Sequence, residues 1–422
     1  MTRLRRLCLL ALVFAAGCLD HTTGTTPHAS CSLTASGGSL GSPTIPVIGC
    51  GLVGSRYTAE VAVLDTTAYT TTWGFRTAPG NMLAVWNVKG NEPELVDSVI
   101  VSGATTLGDV AVSDDGKLLI VATERTNGSL VVFDLTNPRH PVQLSRLATQ
   151  NTYNGVHTAE VGRIAGNLYA VLAIDALSGA PTPESKVVIV DLADPAHPRE
   201  VFIKSIPSTA PFVHDTFLRD GLLFVALWNA GIEIWDVGGG GQGGTASAPA
   251  VIGSVATIGG DAHNIWWLHD AVSGSRYAFV GEESGPAQIG VSSAGDIHVL
   301  DVSDLTHPRE VAFYHVAGAG THNFSVDETK GILYAAYYNA GVRALDVRGD
   351  LETCTPGQQV TTGNITRCDL AAMGREIGQG LDGGGGGAGG TPAVYVWGVE
   401  LSGGSLYASD MLNGLWKLQT VQ

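Results

Sequence analysis

The chain has 422 residues and a mass of 43.7 kDa, is 44 % apolar and only 15 % charged, and carries 56 glycines, roughly double the average usage. That apolar content supports a sizeable core and excludes global disorder, while the length fits two or three ordinary domains or one large all-β domain. The formal charge of −16 repels phosphate backbones, so no nucleic-acid partner is expected.

The first predicted element is a targeting signal. Met1–Arg6 is basic and Leu7–Ala16 is apolar, the n-region and h-region of a secretory signal peptide. Ala15-Ala16-Gly17-Cys18 follows, and small residues directly before a cysteine resemble the bacterial lipobox. The resemblance implies a lipoprotein signal over 1–17, with lipidated Cys18 as the new N-terminus. The alternative is a plain secreted protein cleaved near Ala16. The acid comes only at Asp20 rather than directly after the cysteine, which by the same likeness favours the outer membrane or cell surface. No later apolar run is long enough to span a bilayer, so membrane contact is expected through the lipid anchor only.

Residues 18–42 are rich in Thr, Ser and Gly and read as a flexible tether. Beyond Cys18 lie Cys31, Cys50, Cys354 and Cys368, which allow three pairings. Their close spacings favour Cys31–Cys50 and Cys354–Cys368 disulfides in an oxidising, extracellular compartment. None sits in a C-x-x-C, so a cysteine zinc site is not expected.

From 43 to 422 one pattern recurs. Its clearest copies are Leu130–Leu135, Val187–Leu192 and Ile297–Val302, each a β-branched run ending in Asp plus one apolar residue. Each leads into a proline-containing turn, as in Thr136–Pro141, Ala193–Pro198 and Ser303–Pro308. Weaker copies are Leu83–Val88, Ile232–Val237, Val342–Val347 and Leu415–Leu418, making seven. Residues 187–201, VVIVDLADPAHPREV, resemble the LVIVD-repeat family of bacterial exported β-propellers. The resemblance implies the fold and says little about chemistry.

The residues support the same fold independently. Each copy is preceded by two further strands, the nearer joined to it by turns such as Asn229-Ala230-Gly231 and Asn339-Ala340-Gly341. An extended segment such as Pro198–Ile206 follows most copies and completes four strands. The expectation is all-β: a seven-bladed β-propeller of four-stranded antiparallel blades. The seventh copy ends at Gln422 without its outer strand, and Thr44–Ile48 precedes the first blade without a blade of its own. This N-terminal strand is expected to complete the last blade and close the ring. Glycine-rich stretches near 238–248 and 383–391 read as flexible loops, and Leu370–Ile377 as a short helix.

Of twelve histidines, His140, His197 and His307 share one place in the turns and read as turn-packing residues. His157, His214, His263 and His322 begin the innermost strand of four consecutive blades, where the others carry Tyr57, Asp109 and Trp397. Innermost strands line the axial channel, so these seven residues are expected to ring one channel mouth. Three readings of that ring stand open: hydrogen bonds locking blade to blade, a copper or zinc site, or a pocket for an anion or small ligand. Glu124, Glu282, Glu283 and Asp410 end second strands and read as solvated acids, or else as carboxylates added to the histidine face. No established catalytic motif accompanies them. The expected function is a binding or protein-interaction module on the cell surface, with an envelope or extracellular protein or a small ligand as partner. The alternatives are a metal-dependent enzyme at the histidine cluster and a structural envelope component.

Overall fold

The computed structural model describes residues 45–206, 212–289, 292–381 and 394–422. The expected signal peptide, the tether, Cys18, Cys31, Thr44 and the glycine stretch at 383–391 lie outside the described residues. Seven antiparallel blades surround a channel. Blade 1 comprises Tyr57–Leu64, Thr67–Trp73, Met82–Asn87 and Glu94–Ile100, from channel to rim. The innermost strands of the next six are Thr106–Val112, Val156–Ile164, Thr216–Arg219, Ala262–Trp267, Phe324–Asp327 and Val396–Ser402.

The repeat motif has a direct physical reading. Successive side chains of a strand point to opposite faces, and both faces of a blade are covered by neighbouring blades. In blade 3, Val188 and Val190 pack with Leu130 and Val132 of blade 2. The intervening Val187 and Ile189 pack with Leu223 and Trp235 of blade 4. Every position of the run is therefore apolar. The Asp that ends the run caps the turn beyond it: Asp134, Asp191 and Asp301 each accept a hydrogen bond from the backbone N–H two residues on, at 2.6, 2.8 and 3.0 Å.

The ring closes as expected, three residues further along than the sequence suggested. The closing strand is Val47–Gly51, pairing antiparallel with Gly414–Gln419 of blade 7. Ile45 instead donates its N–H to Gln379 of blade 6, at 2.7 Å. The glycines fix this frame, because a Cβ at Gly51 would stand 2.4 Å from the Trp86 ring.

Two expectations are corrected. The stretch 370–377 is a turn followed by the strand Glu376–Gly380, the outer strand of blade 6, because Gly378 and Gly380 pack closely on Ile45. The stretch beginning at Gly238 is ordered: the buried Asp236 carboxylate accepts backbone hydrogen bonds from Gly238, Gly239, Gly240, Gln242 and Gly244. Between the blade 6 strands Val342–Asp346 and Glu376–Gly380, a hairpin of Gln359–Thr362 and Ile365–Asp369 extends blade 5 to six strands. The Cys354–Cys368 disulfide pins that hairpin, as expected. Cys50 is disulfide-bonded too.

Candidate functional site at the upper channel

We call the face where the innermost strands begin the upper face. β-Bulges interrupt the innermost strands of blades 1, 2, 3, 5 and 7 just inside it, turning one or two side chains into the channel. His214 and His322 lie just before their strands and are fixed by backbone bonds to Ala226 and Ala336.

The four imidazoles form a continuous row of edge-on and tilted rings. Ring centroids are 4.3 Å apart for His157–His214, 4.0 Å for His214–His263 and 4.1 Å for His263–His322. Trp397 continues the row 4.4 Å from His322, and Trp73 lies 5.3 Å beyond. Asp109 also lines the small cavity that these rings enclose, of ≈ 20 Å³. The rings are 1–5 % exposed, so they sit within the channel and not at an open mouth. A cluster of Tyr57, Trp73, Tyr338 and Trp397 closes it, joined by Ile289 from a hairpin inserted in blade 5.

Tyr57 does not reach the cavity. The blade 1 bulge falls between Thr58 and Val61, so Glu60 occupies the lining position while Tyr57 packs edge-on against Phe75. The second-strand acids are also corrected: Glu124, Glu282, Glu283 and Asp410 are all buried. Glu124 and Glu283 join the histidines. Oε1 of Glu124 lies 3.4 Å from Nδ1 of His157, and Asp175, which sequence reading missed, adds a carboxylate at 3.9 Å. Oε2 of Glu283 lies 3.7 Å from Nε2 of both His214 and His263. Glu60 faces Nδ1 of His322 at 3.5 Å.

Burial and the neighbouring imidazoles hold His214 and His263 well below the ordinary imidazole value. Burial lifts Glu283 and Asp175 to about 7 and Asp109 to about 6. Among the described residues, no Lys or Arg lines the cavity, although the charge of Arg125 partly offsets the rise at Asp175. The arrangement has the donor types of a cation site: imidazole nitrogens and carboxylate oxygens at close range, poor in water.

A larger cleft of ≈ 790 Å³ opens beside it on the same face. The loop 74–81 of blade 1 and the start of blade 2 form its walls, including Phe75, Arg76, Asn81, Thr105 and Arg125. Arg76 and Arg125 are exposed and hold positive φ of 55° and 69°. The Arg125 guanidinium lies over Trp73, 5.4 Å from its centroid.

Seven blades around a polar, imidazole-filled upper channel define this as a β-propeller with a buried site and an adjoining cleft. The LVIVD-repeat family model matches residues 184–204 and 289–316, which contain the repeat strands of blades 3 and 5. No curated protein matches the chain. Among solved structures, the β-propeller domain of Cps50 (Swd1) from Myceliophteria thermophila is similar, with a TM-score of 0.57 at 12 % identity. The match covers 88 % of this chain and 99 % of that one, and at such identity it speaks to the fold alone.

Proposed function

We propose that this chain is an exported, lipid-anchored propeller of the bacterial cell envelope, whose upper face binds a partner protein through the cleft beside blade 1. The observation that carries the reading is the cleft itself. Its volume of ≈ 790 Å³ falls in the range of ligand pockets, and it sets Arg76 and Arg125 beside Phe75 on a chain of net charge −16. Two exposed guanidiniums on an otherwise acidic molecule suit an acidic segment of the partner. Both arginines stand in backbone conformations that bulky side chains adopt at a cost, which favours a binding role for the loops that carry them. The metal-enzyme alternative has less support: the ≈ 20 Å³ histidine cavity has room for an ion or one water and none for an organic substrate.

The test is photo-crosslinking on intact cells. A crosslinker at Thr77 in the cleft should capture a discrete protein adduct, lost in the Arg76→Glu/Arg125→Glu double variant. A crosslinker at Ala196, in a turn away from the cleft, should not. Equal adducts from both positions, or none from Thr77, would refute the assignment.

A further inference from the structure

We propose that His214, His263 and Glu283 hold one divalent transition ion, zinc or copper, as a rivet between blades 4 and 5. The argument begins with the protons. Nδ1 of His214 lies 3.1 Å from the backbone carbonyl of His263, an acceptor that fixes the proton on Nδ1. The ring then turns an unprotonated Nε2 inward, where it accepts a hydrogen bond from Nε2 of His157 at 2.9 Å. A cation at this place takes that lone pair in exchange for the hydrogen bond. Carboxylate or carbonyl on one ring nitrogen and metal on the other is the usual arrangement of a ligating histidine.

The remaining donors converge on the same place. Glu283 is fully buried and its Oε2 has no hydrogen-bond partner; neither ring nitrogen of His263 has one either. Donor atoms of His214, His263 and Glu283 all lie within 4.8 Å of one another. For ligands at about 2.0–2.1 Å, a tetrahedral ion places its donors about 3.3–3.4 Å apart. The 3.7 Å separations of Glu283 Oε2 from both imidazole nitrogens lie close to that spacing. Tyr338 donates its phenol to Oε1 of Glu283 and so aims Oε2 at the imidazoles.

The three protein ligands are buried beside a cavity with room for about one water, and they come from two consecutive blades, so the ion would cross-link the ring from within.

The experiment uses the full exported chain, purified without chelator, then stripped and titrated with zinc. Elemental analysis should find about one equivalent of zinc or copper per chain as purified. Adding zinc to the stripped protein should raise its thermal midpoint in a concentration-dependent way. Glu283→Gln preserves volume and the Tyr338 hydrogen bond; it should keep the fold while weakening zinc binding at least tenfold and abolishing the midpoint shift. Asp175→Asn, outside the ligand set, should leave the equivalent in place. The proposal fails if the purified protein holds no zinc or copper and zinc leaves its midpoint unmoved. It also fails if Glu283→Gln binds zinc as the parent does, since the ion would then sit on exposed histidines.

Discussion

Lys417, on the last strand of the chain, donates from its ammonium to the carbonyl of Val88 in the first blade, at 2.8 Å. A second bond reaches the carbonyl of Gly90 at 2.9 Å. The last and first blades therefore meet through a charged group that is 8 % exposed. Replacing it with the similarly shaped Lys417→Met should cost about 2 kcal/mol, the size of a lost hydrogen bond to a charged group. Denaturant unfolding with an unchanged midpoint would contradict this.

The closing strand should matter more. Deleting Val47–Gly51 leaves Gly414–Gln419 as an open edge, a template for pairing with other chains. The expected outcome is a lower thermal midpoint together with concentration-dependent aggregation. A monomeric variant with the parent midpoint would show that pairing with this strand does not hold the ring shut.

Alkaline pH should loosen the interface between blade 5 and its added hairpin. His298 is fully buried between Glu310, 2.8 Å from Nδ1, and Glu282, 3.4 Å from Nε2. Burial opposes its charge, yet the two carboxylates prevail and raise its pKa to about 9. The folded pKa lies above the ordinary 6.5, so the stabilisation is full below about 6.5 and fades as pH rises through about 9. Arg367 of the hairpin shares Glu310, at 2.5 Å. His298→Gln should lower stability at pH 6 by about 3 kcal/mol and flatten the alkaline decline. An identical pH profile in the variant would exclude this role.

Asp236 predicts the opposite limb. Burial works against its charge, but the five backbone N–H groups gathered around it hold its pKa far below the usual carboxylate range. Its contribution is present above the ordinary value of 3.8 and is lost only in strong acid. Asp236→Asn should speed hydrogen exchange of the amides at 238–244 at neutral pH. Unchanged protection there would show that the loop is ordered by something else.

Anchoring is tested at Cys18. In the host, Cys18→Ser should shift the protein from membranes to a soluble fraction. A variant that stays acylated and membrane-bound would overturn the lipoprotein reading.

The blades were legible because the repeat run is mostly apolar, as a strand covered on two faces must be, and its Asp caps a turn. The histidine row was legible for a similar reason: Val156-His157, Val213-His214 and Ala262-His263 repeat one motif at one place in the blade. Glu60 was hidden because the blade 1 bulge falls deeper than the shared Thr-Ala-Glu-Val of 58–61 and 158–161 suggests, displacing Tyr57. Glu283 was legible only as one of two alternatives, a solvated acid or a carboxylate on the histidine face, and Asp175 had no signal of its own, since a lone acid after a strand reads as solvated until the loop above it is known. The hairpin carrying Ile289 comprises only the short strands Ser284–Gln288 and Ser292–Ala294, too brief to stand out from a loop.

The pairing of Val47 with Leu418 also dictates when this molecule can become whole. Synthesis from the N-terminus delivers the closing strand Val47–Gly51 long before its partner Gly414–Gln419. Six blades can assemble while the strand at Val47 waits with an unsatisfied edge, and native closure needs Gly414–Gln419. Truncation near the C-terminus is therefore not a local lesion: it leaves both ends of the propeller unfinished at once.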